Sequence, residues 1–290
     1  MNATISTQTL EAPGATITYD VRGTLGSDVP LLLIGSPMGA EGFTTLAGHF
    51  TDRPVVTYDP RGAGRSTRSD GSGEITPAHH AGDLQRLVEA IGGGPADVFA
   101  TSGGAVNALA WVSDHGEQVR TLVAHEPPLT AVLPDRDAFT AAIEDMSRTY
   151  HRDGRGPAMA KFIVLVTHDG ELPDGYRYPP IDPARFGLPT EDDGSRDDAL
   201  LGQNLRSSTG YQPDFAALRA TSTRVVLARG VGSGATMAAR GADGVATRIG
   251  AELVPFPGDH GGFMGGEFGQ QGEPAAFAQR LREVLDGARC

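Results

Sequence analysis

The sequence has little cysteine, few basic residues and no long apolar run. Its only cysteine is Cys290, the last residue, so no disulfide can form within the chain and cysteine-ligated metal sites are excluded. The absence of any stretch of about 18 consecutive apolar residues argues against a membrane-spanning helix. Residues 1–14 lack both a basic start and an apolar core, so we predict no secretory signal peptide and a cytoplasmic location.

Acidic residues outnumber basic ones by 36 to 24, which gives a formal net charge of −12. Such a surface repels phosphate backbones and argues against a nucleic-acid partner. It suits a small neutral or apolar substrate better than a polyanion. The length of 290 residues permits one large α/β domain with an inserted cap, or two small domains. The sequence leaves open whether the protein is a monomer or a homodimer.

Short apolar runs alternate with helical patterns along most of the chain. The run at residues 31–34 is apolar throughout, which is typical of a strand that is buried on both faces. The predicted strands cover residues 31–34, 54–58, 97–100, 119–124, 224–228 and 253–256. The predicted helices between and after them cover residues 77–91, 105–113, 236–249 and 274–285. This alternation predicts an α/β fold with a mostly parallel sheet and helices on both faces.

The alternation breaks between residues 129 and 220, where stretches rich in Pro, Gly and Asp separate helical segments at 137–150 and 157–168. We interpret this segment as an inserted, mainly helical cap, with residues 1–128 and 221–290 forming the core. Its large apolar side chains either line a pocket for a bulky apolar or aromatic substrate or form the core of the cap. These side chains are Met146, Tyr150, Met159, Phe162, Leu165, Tyr176, Tyr178, Phe186 and Tyr211.

Ser102 lies at the centre of a small-x-Ser-x-small pattern between a predicted strand and a predicted helix. A nucleophile elbow needs small residues two positions either side of the serine, because strand and helix approach closely there. Ala100 and Gly104 fill these positions. At such a turn the Gly103 N–H would point to where an oxyanion forms. The alternative is that Ser102 only caps the following helix.

Two further motifs resemble those of the α/β-hydrolase family. Residues 59–66, Asp-Pro-Arg-Gly-Ala-Gly-Arg-Ser, resemble its D-x-R-G-x-G-x-S turn, and residues 258–263, Gly-Asp-His-Gly-Gly-Phe, resemble its G-x-H-x-x-F histidine loop. The resemblance implies an α/β-hydrolase fold, with His260 as the general base. It also implies a second oxyanion donor in the loop at residues 35–39. Pro37 has no N–H, which leaves Ser36 or Met38, and the spacing after the strand favours Ser36. An ordinary Gly-Pro turn is the alternative for that loop.

Other histidines fit the base less well. His79 and His80 lie at a predicted surface helix start and His115 at a helix end, so we interpret all three as solvated or capping residues. Asp259, next to His260, would point away from the site if His260 points into it.

The acid partner of His260 departs from the family pattern. Most members carry Asp or Glu just after the strand predicted here at residues 224–228, but residues 229–234 contain no carboxylate. Glu126, which follows the strand at 119–124, is the alternative, and its His-Glu-Pro-Pro segment resembles that of zearalenone-type lactonases. Otherwise Glu126 caps a helix or pairs with an arginine, and the site is a Ser–His dyad.

The sequence therefore predicts a serine hydrolase that cleaves a carboxylic ester or lactone through an acyl-enzyme on Ser102. The catalytic residues would be Ser102, His260 and Glu126, with Gly103 and Ser36 forming the oxyanion hole. This chemistry requires no metal and no organic cofactor. A non-hydrolytic protein of the same fold, such as a lyase, a cyclase or a ligand-binding protein with an incomplete triad, is the alternative.

Overall fold

The apolar runs form the centre of one sheet. The computed structural model describes residues 4–26, 28–71 and 73–287, so Cys290 lies outside the described residues. The strands in these residues are β1 (Ile5–Ala12), β2 (Ala15–Arg22), β3 (Leu31–Ile34), β4 (Val55–Tyr58), β5 (Thr67–Arg68), β6 (Ala96–Thr101), β7 (Val119–His125), β8 (Arg224–Gly230) and β9 (Glu252–Phe256). They are arranged in the order β1-β2-β4-β3-β6-β7-β8-β9, with β5 paired to β2.

The sheet is mostly parallel, as predicted, and the antiparallel part is the N-terminal one. β1 pairs with β2, and β2 pairs with β4 and β5, all antiparallel. From β4 through β3, β6, β7 and β8 to β9 every pair is parallel. β1, β2 and the short β5 were not predicted from the sequence.

Helices cover both faces of the sheet, which confirms the predicted fold class. The α-helices are α1 (Thr44–Gly48), α2 (Pro77–Ala90), α3 (Gly103–His115), α4 (Arg136–Asp153), α5 (Arg155–Val166), α6 (Leu205–Thr209), α7 (Phe215–Ala220), α8 (Met237–Ile249) and α9 (Pro274–Asp286). Alternate residues of β3 show why the strand is apolar throughout. Leu32 joins a core shared with α2, α3 and α8, and Leu33 joins a core shared with α1 and α9.

The chain between β7 and β8 is helical and has an apolar cluster of its own. It contains α4 to α7 and a π-helix at Ala199–Asn204. Phe139, Met146 and Tyr150 are among the residues that form the cluster. The boundaries of a separate cap at 129–220 stay a prediction. Within the described residues, no helix is long and apolar enough to cross a membrane.

Candidate active site

The residues named from the sequence lie at one edge of the sheet. Ser102 follows β6, Glu126 follows β7 and His260 follows β9. Since these strands are parallel neighbours, with β8 between β7 and β9, their carboxyl ends meet at the same edge. That edge is where sites form in open α/β sheets.

Ser102 has a left-handed backbone conformation, with φ 55° and ψ −130°. Its N–H donates to the His125 carbonyl at 2.9 Å, and α3 begins at the next residue. The Ser102 side chain makes no capping hydrogen bond, so a structural capping role does not account for it. A β-carbon at Gly104 would lie 2.5 Å from the Ile34 carbonyl oxygen, which explains the small residue at that position. This is the local geometry of a nucleophile elbow.

Glu126 is completely buried and also has a left-handed conformation, with φ 49°. Its Oε2 lies 2.6 Å from His260 Nδ1, and its Oε1 accepts the Gly230 N–H at 2.9 Å. Burial alone would raise the pKa of Glu126. The hydrogen bond from His260, and the positive charge that the His125 and His260 rings carry when they are protonated, outweigh burial and lower the pKa to about 2. Glu126 is therefore an anion that orients the imidazole.

The loop after β8 has no place for the usual acid. A β-carbon at Gly230 would lie 2.7 Å from Ser233 Oγ and 2.8 Å from the Asp259 carbonyl carbon. Val231, the next residue, is 70% exposed. Gly230, the last residue of β8, instead donates its N–H to Glu126. Sequence reasoning missed this contact.

His260 lies on a loop that is anchored by Phe263. The Phe263 ring is buried and stacks on Phe43 with centroids 5.5 Å apart. Asp259, which was expected to point away from the site, lines the same cavity as His260. Its Oδ1 accepts the Gly261 N–H at 2.9 Å, a short-range turn contact. The His260 side chain is 46% exposed, so one edge of its ring is free to act on a substrate while the other is held by Glu126.

His125 was not singled out from the sequence as a functional residue. It is completely buried, and its ring stacks on His260 with centroids 5.9 Å apart. Thr101 Oγ1 lies 3.0 Å from its Nδ1. Burial lowers the pKa of His125 to about 4, so the ring is neutral at neutral pH. A neutral neighbour packs against His260 without opposing a positive charge on it.

Ser36 and Gly103 are neighbours where the loop after β3 meets the start of α3. We call this place the oxyanion corner. A β-carbon at Gly103 would lie 2.6 Å from the Ser36 carbonyl oxygen. Neither the Ser36 N–H nor the Gly103 N–H donates to a protein acceptor among the described residues. The D-x-R-G turn holds this loop in place, since Asp59 Oδ1 accepts the Ala40 N–H at 2.8 Å. Both N–H groups are thus available to a ligand oxygen.

Ser102 and His260 line one cavity of about 480 Å³. Among the hydrogen bonds of the described residues, none joins the Ser102 hydroxyl to His260, a contact that in related sites often tightens only when substrate binds. Ser36 and Gly103 line the same cavity, whereas Met38 lines a neighbouring one. The cavity thus brings together four of the five predicted site residues, and Glu126 lies behind His260.

The cavity wall is largely apolar, and the helical segment after β7 supplies nearly half of its lining residues. No Lys or Arg lines it among the described residues. Of the apolar residues expected to line a pocket, Phe162 and Leu165 do so. The others pack elsewhere: Met146 and Tyr150 in the helical cluster, Tyr176 and Tyr178 against it, Met159 beside the neighbouring cavity, Tyr211 against the sheet core, and Phe186 at the surface.

Three side chains at this site, His125, Glu126 and His260, are of the types that bind metal ions. His125, Glu126 and His260 place ligand atoms within 4.8 Å of one another. Both Glu126 oxygens already accept hydrogen bonds, and His125 Nδ1 is engaged by Thr101. The remaining His125 nitrogen, Nε2, is buried and has no hydrogen-bond partner among the described residues. This donor set fits a hydrogen-bonded Glu–His pair better than a metal site.

His79 and His80 behave differently from each other. His79 closes a capping box with Thr76 at the start of α2, as predicted. The surface position predicted for His80 is wrong, because its ring is buried and its Nε2 lies 2.7 Å from Asn204 Oδ1. Asn204 in turn lines the cavity. No local signal could have shown this partner, which lies 124 residues away.

Comparisons with known proteins agree with this fold. The sequence model of the alpha/beta hydrolase fold family matches residues 31–156. The chain is 30% identical to an uncharacterized hydrolase, YraK, of Bacillus subtilis (strain 168), over 98% of this chain and 97% of the relative. A malate-bound thermophilic esterase from Thermogutta terrifontis has a TM-score of 0.67 at 17% identity, over 99% of this chain and all of that one. An enol-lactonase from Burkholderia xenovorans LB400 has a TM-score of 0.67 at 13% identity, over 96% and 99%.

Proposed function

The chain belongs to the α/β-hydrolase fold family, and on that premise we propose that it hydrolyses a carboxylic ester or lactone through an acyl-enzyme on Ser102. One observation carries the proposal. A serine on a left-handed elbow shares a cavity with a histidine whose far nitrogen lies 2.6 Å from a buried carboxylate. This arrangement activates a hydroxyl for acyl transfer.

The proposed mechanism assigns one task to each group. His260 Nε2 takes the Ser102 proton as Ser102 Oγ attacks the ester carbonyl, and Glu126 stabilises the imidazolium through Nδ1–H. The oxyanion accepts the Ser36 and Gly103 N–H groups, and a donor of this kind typically lowers the barrier by about 3 kcal/mol. His260 then protonates the leaving alkoxide. Water repeats the sequence on the acyl-enzyme and restores Ser102.

The cavity supports an uncharged, apolar or aromatic substrate. Its wall is largely apolar, and the described residues place no Lys or Arg on it to pair with an anionic group. A volume of about 480 Å³ is within the range that holds small organic ligands. The position of Glu126 resembles zearalenone-type lactonases, which is why lactones stand beside esters in the proposal. Proteins that share this fold include an esterase, at 17% identity, and an enol-lactonase, at 13% identity.

A non-hydrolytic role remains the alternative hypothesis, and no specific observation favours it. Its argument from sequence is the missing carboxylate after β8. In the structure Glu126 lies where that carboxylate would act, against His260 Nδ1.

The test is covalent labelling followed by turnover. A fluorophosphonate should label the wild type at Ser102, located by peptide mass spectrometry, and leave Ser102→Ala unlabelled. The wild type should hydrolyse members of a panel of aryl esters and lactones, and Ser102→Ala should lose at least about 10³-fold in kcat/KM. Thermal unfolding of both proteins controls for misfolding. A wild type that is neither labelled nor active on the panel would exclude the serine-hydrolase proposal.

A further inference from the structure

Ser208 carries a buried hydroxyl that has no hydrogen-bond partner among the described residues. It lies on α6 and lines the cavity that also contains Ser102 and Gly103. Buried hydroxyl groups are nearly always paired in folded proteins, and an exception needs an explanation. An unpaired hydroxyl at the wall of a substrate cavity indicates that a bound molecule supplies the partner.

The Ser208 hydroxyl lies close to the oxyanion corner formed by Ser36 and Gly103. A β-carbon at Gly103 would lie 3.4 Å from Ser208 Oγ and 2.6 Å from the Ser36 carbonyl oxygen. Ser36, Gly103 and Ser208 therefore meet at one corner of the cavity, beside the nucleophile. Two of the three already supply the N–H groups proposed to bind the oxyanion.

Neighbouring hydroxyl groups have structural partners, which makes Ser208 an exception on its own helix. Ser207 Oγ donates to the carbonyls of Ile75 and Asn204. Thr209 Oγ1 donates to the Leu205 carbonyl at 2.7 Å. Ser233 Oγ is another buried cavity hydroxyl with no hydrogen-bond partner among the described residues, but it lies close enough to Glu126 to contribute to lowering the pKa of that carboxyl. No comparable structural role is available for Ser208.

The local helix geometry brings Ser208 to the cavity. The π-helix at Ala199–Asn204 runs directly into α6. π-helical turns are rare and occur frequently at functional sites, because they change which side chains face a given direction. In this segment Leu200, Asn204, Leu205 and Ser208 all line the cavity.

We propose that the Ser208 hydroxyl is a third donor to the oxyanion, in addition to the Ser36 and Gly103 N–H groups. The inference rests on the proposed function and deepens it. A serine hydroxyl moves between three staggered positions by rotation about one bond. Ser208 can therefore turn from the Gly103 backbone to an oxygen bound at the same corner. Its hydrogen bond strengthens as the ester oxygen gains charge, so it acts on kcat more than on KM.

The experiment compares two adjacent serines, Ser208→Ala and Ser207→Ala. For an aryl ester that the wild type hydrolyses, Ser208→Ala should lower kcat by about 10- to 100-fold with little change in KM. Its melting temperature should not fall, because the variant removes an unpaired group. Ser207→Ala should show the reverse, a lower melting temperature with kcat within about twofold of wild type. The rate of Ser102 phosphonylation should fall in Ser208→Ala as kcat does, since a phosphonyl oxygen occupies the same corner.

Three results would overturn the inference, and they are distinguishable. A Ser208→Ala kcat equal to that of an active wild type refutes the donor role and leaves the proposed function intact. A melting temperature lowered as in Ser207→Ala shows that the hydroxyl is structural. A wild type that is inactive on every ester and is not labelled at Ser102 refutes the proposed function itself, and the Ser208 inference fails with it.

Discussion

Glu126→Gln is the most informative single change, because it removes one charge and almost no volume. In the wild type Glu126 Oε1 accepts the Gly230 N–H and Oε2 lies against His260 Nδ1. The pKa of this carboxyl falls from 4.5 to about 2. At 1.36 kcal/mol per pKa unit, the folded protein favours the ionised form by about 3 kcal/mol. That is the interaction which the substitution deletes.

Glu126→Gln should lose activity because His260 adopts the wrong tautomer. The glutamine oxygen can still accept the Gly230 N–H, which turns the amide NH₂ toward His260 Nδ1. Since Nδ1 must then be an acceptor, the ring proton moves to Nε2, and the ring can no longer take the proton of Ser102. The imidazolium also loses its anionic partner. We expect kcat to fall on the order of 10³-fold.

The assay measures kcat and KM for an aryl ester at pH 7–8, with Asp259→Asn as the control. Asp259 is the carboxylate adjacent to His260 in sequence, but its Oδ1 bonds to the Gly261 N–H. Its variant should lose less than about tenfold. If Glu126→Gln kept more than about a tenth of wild-type kcat, the assignment of Glu126 as the acid would be wrong. A larger loss in Asp259→Asn would point to Asp259 instead.

Glu126→Gln should also change how the unfolding free energy of the protein depends on pH. The pKa of Glu126 is lowered in the folded protein, so its contribution is present above pH 4.5 and is lost as the pH falls toward 2. Over that window the wild type should lose about 3 kcal/mol of unfolding free energy that Glu126→Gln does not lose. Denaturant unfolding at several pH values measures the difference. Equal slopes in the two proteins below pH 4.5 would contradict the coupling.

Two further variants test the surroundings of this pair. Burial lowers the pKa of His125 from 6.5 to about 4, so below pH 6.5 the unfolded chain binds a proton that the folded protein does not, and stability falls as the pH drops toward 4. His125→Phe should lose this dependence, measured by urea unfolding at pH 7 and pH 5, and an unchanged pH 5 penalty would refute the burial argument. Gly230→Ala places a β-carbon 2.8 Å from the Asp259 carbonyl carbon, so it should displace the histidine loop and lower kcat more than about tenfold. Gly48→Ala, which meets nothing within 4 Å, should leave kcat unchanged, and equal kcat values in both glycine variants would contradict the crowding at residue 230.

Hydropathy predicted the strands that contain short apolar runs, including the partly exposed β9, and missed the strands in which polar residues interrupt the run, including the buried β2. β3 and β4 are buried at every residue and appear in the sequence as uninterrupted apolar runs. β1 is mostly exposed, with polar residues such as Ser6, Thr7 and Gln8. Its place in the sheet depends on antiparallel pairing with β2 along its whole length. Backbone pairing of this kind leaves no periodic apolar signal, so the sequence could not show it.

Some residues of the site lie in short sequence motifs, whereas others depend on contacts with residues far away in the sequence. Ser102 and His260 each lie in a short motif, because the elbow and the histidine loop need small residues at fixed spacing. His80 and Ser208 could not be interpreted in the same way. The polar contact of His80 comes from Asn204, and the position of Ser208 at the cavity depends on a π-helical turn. Neither property follows from residues nearby in the sequence.

The position of the acid depends on two local features that require each other. β7 and β8 are parallel neighbours in register, with His125 opposite Ala228, so the residues that follow them lie side by side. The left-handed conformation of Glu126 turns its side chain across to β8, where it meets the Gly230 N–H. Such a conformation costs a non-glycine residue about 1–2 kcal/mol, which is offset by the hydrogen bonds that the buried carboxylate accepts from His260 and from the Gly230 N–H. A side chain at residue 230 would meet Asp259 and close that space. An acid after β7 and a glycine at the end of β8 are therefore one arrangement, in which the carboxylate reaches the histidine nitrogen from the neighbouring strand.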